Sequence, residues 1–328
     1  MSTPELAPYD GLSPDRILDA LESVGIRGDG RLLALNSYEN RVYQVWLDDA
    51  PPVVAKFYRP ARWTDAQIHE EHTFVAQLVE REIPAVPALQ LSESTLNAFE
   101  GFRFAVYARF GGRAPELDRR DTLVRIGRYI ARIHAVGATA PFVTRPALTI
   151  DEFGVSSRDY LLAHEFLPPD LRAVWHGVVD HAIDGVRRAF DRAGTVSSLR
   201  LHGDCHGGNV LWTDDGAHFV DFDDARMGAA VQDLWMLLSG ERGEREAQLA
   251  ALLEGYDDFH DFDRRELALV EALRTLRLIH YCAWIAQRWN DPAFPLAFPW
   301  FNTQRYWQDR ILELREQIAA MDEPPLVA

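Results

Sequence analysis

Lysine is almost missing from this chain of 328 residues: 33 of its 34 basic residues are arginine, and the one lysine is Lys56. A lone ammonium among guanidiniums marks a position where a compact point charge does what a planar fork cannot. Cysteine is nearly as scarce. Cys205 and Cys282 are too few for a disulfide framework or a four-thiolate metal site. Positive charge is also in deficit, with 50 acidic residues against 34 basic ones and a formal net charge of −16. Such a field repels phosphate backbones and anionic lipid, so neither nucleic acid nor a membrane surface is an expected partner. Long hydrophobic runs are lacking as well. The most apolar long stretch, residues 266–289, is broken by Arg274, Arg277 and Arg288 and does not read as a membrane span. Residues 1–15 are acidic and contain proline, without a basic or an apolar leader region, so a cytoplasmic location is expected. A monomer is the default state.

What is present is ordinary globular composition, 47% hydrophobic and 26% charged, in a length that suits two domains or two lobes. Ser13-Pro14-Asp15 ahead of Ile17, Leu18, Leu21 and Val24 predicts a capped helix that ends at Gly25. Residues 42–46 and 53–57 read as strands of a hairpin around the turn at 48–52. Thr64 opens a helix to about Val79, with Ile68, Val75, Leu78 and Val79 as its apolar face. Residues 102–110 are strand-like again. Beyond Gly112, periodic apolar positions predict helices over 122–136, 170–193 and 264–289, with a short β interruption at 199–223. The fold class is therefore α+β and bilobal. A small antiparallel β lobe (1–110) precedes a larger helical lobe (111–328), and a ligand is expected between them.

The chemistry concentrates in one segment, His202-Gly203-Asp204-Cys205-His206-Gly207-Gly208-Asn209, followed twelve residues after Asn209 by Asp221 at the end of Phe219-Val220. An Asp, four residues, an Asn, then an Asp ending a hydrophobic strand is the spacing of a kinase catalytic loop and metal-binding Asp. Phosphoryl transfer needs a carboxylate beside the acceptor hydroxyl. It also needs hard oxygen ligands for Mg²⁺, and Asn209 supplies one without adding negative charge. Something must hold the nucleotide phosphates as well. Lys56, at the end of Val53-Val54-Ala55, lies close to the strand signature of kinase lysines. Its partner is expected on the following helix. Glu70 and Glu71 both qualify, and Glu71 is preferred because Phe74 and Val75 at i+3 and i+4 place it beside the packed face.

These motifs resemble the aminoglycoside/choline phosphotransferase branch of the protein-kinase-like fold, and more closely the bacterial stress response kinase A (YihE/RdoA) protein kinase family. Residues 35–44, 56–60, 202–209, 221–226, 231–238 and 289–295 carry the likeness, which covers almost the whole chain. It implies ATP- and Mg²⁺-dependent phosphorylation of Ser and Thr on a protein substrate by a cytoplasmic enzyme of the stress response. It also implies roles. Asp204 would accept the hydroxyl proton, Asn209 and Asp221 would bind Mg²⁺, and Ser37 would contact ATP near its phosphates, beside Lys56 and Glu71. The chain departs from ordinary protein kinases in three places. Its 36–41 turn contains no glycine, so Ser37 and backbone N–H groups would replace a Gly-rich loop. Gly203 stands where an Arg precedes the catalytic Asp, which argues against control by a phosphorylated loop. Only nine residues separate Asp223 from Asp233, without an A-P-E motif.

Simpler readings compete. The 202–209 loop could be a glycine-rich turn with local caps, and Ser37 turn chemistry. His202, Cys205 and His206 could bind zinc, although no second Cys pair or H-E-x-x-H helix supports it. Glu70 and Glu71 could be a solvated face, and Asp233 a backbone anchor for the loop. The aromatics from Trp284 to Trp307 read first as core. Functional alternatives are a small-alcohol kinase for an aminoglycoside, choline-like or homoserine-like acceptor, and a nucleotide-binding pseudokinase scaffold.

Overall fold

The computed structural model describes residues 8–328 apart from 92 and 215; the first seven residues of the acidic N-terminal stretch lie outside the described residues. The chain divides into two compact units. The first holds the described part of Met1–Pro115 with Val143–Arg145 and Gly208–Asp223. The second holds Glu116–Phe142, Pro146–Gly207 and Asp224–Ala328.

The first unit opens with α1 (Pro14–Glu22), where the Ser13 hydroxyl accepts the Arg16 N–H and Pro14 occupies the first turn, as the sequence predicts. Its strands β1 (Gly28–Ala34), β2 (Arg41–Leu47), β3 (Val53–Phe57), β4 (Asn97–Phe99) and β5 (Phe102–Ala108) form one antiparallel sheet in the order β1-β2-β3-β5-β4. Between β3 and β4 runs α2 (Asp65–Glu80), started by a capping box between Thr64 and Gln67. Alternation along β3 decides the rest. Ala55 and Phe57 point to the face packed by Ile17, Leu21, Val45, Phe104 and Val106. Val54 and Lys56 therefore point to the opposite face. There Lys56 is in register with Val42 on one side and Ala105 on the other.

The helices α3 (Arg120–Gly137), α4 (Ser157–Ala163) and α5 (Pro169–Ala193) belong to the second unit, with a π turn at Asp151–Ser156 leading into α4. So do β6 (Leu199–Leu201) and its partner strand Arg226–Gly228. Between those two strands the chain contributes a hairpin to the first unit, β7 (Val210–Thr213) and β8 (Gly216–Phe219); Arg226–Gly228 is then β9. The helices α6 (Gln232–Trp235), α7 (Arg242–Tyr256), α8 (Val270–Gln287), α9 (Ala293–Ala297) and α10 (Gln304–Asp322) complete the second unit. α3 and α7 touch backbone to backbone. A Cβ on Gly127 would sit 2.0 Å from the Leu252 oxygen, and one on Gly255 1.9 Å from the Val124 oxygen, so only glycine permits the approach.

The predicted helix over 264–289 is split. Asp263 accepts the Arg265 N–H and residues 264–269 wind as a tight 3₁₀ turn before α8 begins. No helix is expected from the sequence at α7 or α10, and Trp307 of α10 reads there only as a member of an aromatic run. Phe294, Phe298, Phe301 and Trp307 pack with Trp175, Ile183, Ile279 and Ile311 in the core, while Trp300 is half-exposed. No helix among the described residues is long and apolar enough to cross a membrane.

Candidate active site

A cavity of about 400 Å³ lies within the first unit, a size ordinary for small-molecule sites. Apolar side chains from Leu35, Val42, Val54, Val75, Val86, Leu211 and Val220 line it. Ser37, Lys56, Glu71, Asn209 and Asp221 supply polar wall, so five of the six site residues expected from the sequence meet at one cavity. The sixth, Asp204, belongs to the second unit.

Hairpin register brings Asn209 beside Asp221. Val210 pairs with Phe219, and one step further the Val220 N–H donates to the Asn209 carbonyl at 3.0 Å. The twelve-residue interval is thus a strand out and a strand back. Asp221 itself sits in the left-handed region at φ 59°, which Asp tolerates better than most residues, with its carboxylate 52% exposed.

Lys56 Nζ lies 3.0 Å from an oxygen of Asp221 and 3.0 Å from one of Asp223. Burial alone would lower its pKa, but Asp221, Asp223 and then Glu71 outweigh that and hold it well above the usual lysine range. Asp223 is the hub. It also pairs with Arg62 and accepts from Asn40 Nδ2 at 3.2 Å, while its carbonyl accepts from Arg145 at 2.5 Å. Glu39 pairs with Arg59 at 2.9 Å, and Arg59 donates to the backbone carbonyls of Tyr38 and Glu39. This network ties the turn that carries Ser37 to the Asp221 segment. The roles of Asn40, Arg59 and Arg62 are not read from the sequence, although the first two fall inside segments that carry the family likeness, because the partner Asp223 is remote from them in the chain.

The two glutamates of α2 part company. Glu70 accepts from the backbone N–H groups of Val143, Thr144 and Arg145 and anchors that loop. Glu71 is buried on the cavity wall, where burial raises its pKa against the pull of Lys56. Its nearest cation is Arg145 at 3.8 Å, whereas the direct ion pairs of Lys56 go to the two aspartates.

In the second unit, the loop that bears Asp204 hangs on one buried carboxylate. Asp233 accepts the His202 N–H at 2.8 Å and the Gly203 N–H at 2.9 Å, and is itself held by His134 at 3.0 Å, which contacts the Tyr256 hydroxyl at 2.8 Å. Asp233 is thus the backbone anchor weighed from the sequence. Gly203 adopts φ 86°, and a Cβ there would lie 2.1 Å from the Asp224 oxygen. Glycine replaces arginine at this position for a backbone reason. Asp204 pairs with Arg277 at 2.6 Å and lies 3.5 Å from His206. Burial would raise its pKa, but His206 and Arg277 outweigh that and keep the carboxyl below its usual range. Cys205 is buried, and burial pushes its thiol well above the ordinary cysteine range, which suits packing rather than redox chemistry.

Residues 31–270 match the family described as "Phosphotransferase enzyme family". The chain belongs to this family. Stress response kinase A of Escherichia coli (strain K12) is 45% identical to this phosphotransferase over 318 residues, 97% of this chain and 96% of that one. The serine/threonine protein kinase RdoA of Salmonella typhimurium (strain LT2) is 42% identical over the same shares. Among solved structures, an amicoumacin kinase in complex with AMP-PNP, Ca²⁺ and Ami matches with a TM-score of 0.73 at 18% identity, covering 95% of each chain. That likeness shows the kinase-like phosphotransferase fold.

The donor set of the phosphotransferase suits a divalent cation. Asn209 and Asp221 offer hard oxygens side by side on the cavity wall, and Mg²⁺ commonly takes one or two protein ligands with the rest from phosphate and water. Among the described residues no group of three or more His, Cys, Asp or Glu is placed to hold a metal, so His202, Cys205 and His206 form no such cluster.

Proposed function

We propose that this phosphotransferase uses ATP and Mg²⁺ to phosphorylate Ser and Thr hydroxyls of proteins, as a cytoplasmic, monomeric kinase of a bacterial stress response. The observation that carries this reading is the 45% identity to a stress response kinase A along nearly all of both chains, together with a cavity whose polar wall is Lys56, Asn209 and Asp221. Nucleotide binding draws on residues 1–110 and on the Gly208–Asp223 hairpin. Acceptor binding draws on the remainder.

In this reading Lys56 binds phosphate oxygens as a point charge, and Ser37 hydrogen-bonds nearby. Asn209 and Asp221 hold Mg²⁺, which supplies charge neutralisation at the phosphates. Asp204 orients the acceptor hydroxyl and takes its proton as the oxygen bonds to the γ-phosphorus and the bond to ADP breaks. Catalysis is positioning and electrostatics, with no covalent enzyme intermediate. Glu71 sets the field around Lys56 from the cavity wall.

One observation favours a second reading, a small-alcohol kinase. The segment between Asp223 and Asp233 holds only β9 and the turn into α6, with no separate platform for a peptide. Labelled ATP offered with a proteome extract and with a panel of small alcohols decides between them. Wild type is expected to label proteins, and Asp204→Ala to lose about two to four orders of magnitude in transfer rate while still binding ATP. Label found in small alcohols alone would overturn the protein-kinase reading. ATP binding without transfer to any acceptor would favour a pseudokinase.

A further inference from the structure

Arg277 occupies the middle of α8, one of two arginines within that helix, and Arg288 follows at its C-terminal cap. Arg274 lies over the Trp235 ring and pairs with Glu271 at 3.3 Å. Arg288 lies over Trp284 and donates to its carbonyl. Arg277 instead extends to the loop, placing Nη1 2.6 Å from Asp204 Oδ1. Its other contact, to Met236 Sδ at 4.0 Å, also uses Nη1. Among the described residues Nε and Nη2 have no hydrogen-bond partner, and the side chain is 42% exposed. One corner of the guanidinium is therefore committed to Asp204, and the edge formed by Nε and Nη2 keeps its donors available among the described residues.

We propose that Arg277 selects the acceptor: its outer edge receives a carboxylate or phosphate carried next to the reacting hydroxyl, as in a Ser or Thr flanked by acidic residues. The assignment rests on the reading that Asp204 meets the acceptor hydroxyl, and it adds the chemical class of that acceptor. The planar edge of a guanidinium matches a carboxylate or phosphate through two parallel N–H bonds. The other charges around Asp204 are already engaged: His206 lies against Asp204 Oδ2, and Asp224 is paired with Arg226 at 2.9 Å. An acceptor that arrives at Asp204 thus meets a cation with donors to offer, and an ammonium-bearing acceptor meets like charge. The formal charge of −16 does not reverse this, because exposed charges beyond about 8 Å are largely screened at physiological salt.

Serine peptides identical except for Asp, Asn or Arg beside the serine test this, assayed with wild type, Arg277→Lys and Arg277→Gln. Wild type should favour the Asp-flanked peptide over the Arg-flanked one by about tenfold or more in kcat/KM, the worth of one well-made charged contact. Arg277→Gln should reduce that preference to within about threefold, chiefly through the KM for the acidic peptide, with the KM for ATP unchanged, while Arg277→Lys keeps part of it. A structural role alone would lower kcat for all three peptides alike. That pattern, or a wild type without charge preference, overturns the assignment. If no peptide is phosphorylated, the same comparison on hydroxy acids against amino alcohols applies. Preference for hydroxy acids, lost in Arg277→Gln, keeps the assignment and replaces the protein-kinase reading; preference for amino alcohols overturns both. Absence of transfer to any acceptor overturns the phosphotransfer reading and this assignment with it.

Discussion

The Asp204 loop and the Asp221 turn both present a carboxylate from left-handed backbone, with Gly203 at φ 86° in the one and Asp221 at φ 59° in the other, yet they are held in opposite ways. The loop is fixed by two main-chain N–H groups on a single buried acceptor, Asp233. The turn is fixed by shared side-chain charges: Lys56 lies between Asp221 and Asp223, and Arg62 between Asp223 and Glu39. Removing the acceptor of the loop strands its donors. Removing one member of the turn leaves each cation a second carboxylate. On the roles proposed above, a fixed support suits a residue that would meet a hydroxyl in one geometry, and shared ion pairs suit a segment whose charges would be redistributed by phosphates at Lys56.

Substitutions can break this contrast. Asp233→Ala should cost about 3–5 kcal/mol in denaturant unfolding, because His134 and two backbone donors lose their buried partner. Asp223→Ala should cost only about 1–2 kcal/mol, the worth of a hydrogen-bonded contact, and raise the KM for ATP. Equal losses for the two would collapse the distinction. Lys56→Arg should fold normally and lose about tenfold or more in kcat/KM for ATP, since the fork does not reproduce the point charge between two aspartates. Full activity in that variant would mean that the single lysine has no special task.

The smallest effect sharpens the account of how α6, which carries Asp233, is supported. Glu266 accepts the Val231 N–H at 2.8 Å at the start of α6, and burial raises its pKa to about 7 despite that bond. A carboxyl raised above its unfolded value of about 4.3 contributes stability that is complete below that pH and is lost as pH rises through 7. Glu266→Gln cannot ionise. It should gain about 1 kcal/mol over wild type at pH 8 and nothing at pH 4 in thermal unfolding, a discounted fraction of the pKa shift. A gain that is independent of pH would show that ionisation of Glu266 is not the cause.

Much of the site was legible because local pattern and chemistry coincide there. The strand at 53–57 carries Lys56, capping chemistry starts α1 and α2, and the Asp–Asn–Asp spacing singles out Asp204, Asn209 and Asp221 within a short β segment. What was not legible depends on partners remote in sequence. Helical periodicity puts Glu71 beside the packed face but does not show that Asp223, 167 residues beyond Lys56, stands nearer to the ammonium. Arg277 read only as an interruption of an apolar helix, since nothing in its neighbours reports a contact with Asp204 made across 73 residues. Gly203 read as a missing arginine, when the Asp224 carbonyl leaves no room for a side chain.

Because Asn209 and Asp221 meet through the pairing of β7 with β8, the interval between them is a property of hairpin length and not of the chemistry. Residues added in matched numbers to the two strands would move the tip outward and leave both oxygen donors where they are. A relative with a longer hairpin could therefore keep the same placement of the two oxygen donors while failing every fixed-spacing search for it. Recognising such proteins calls for aligning the two strands against each other first, and counting residues only afterwards.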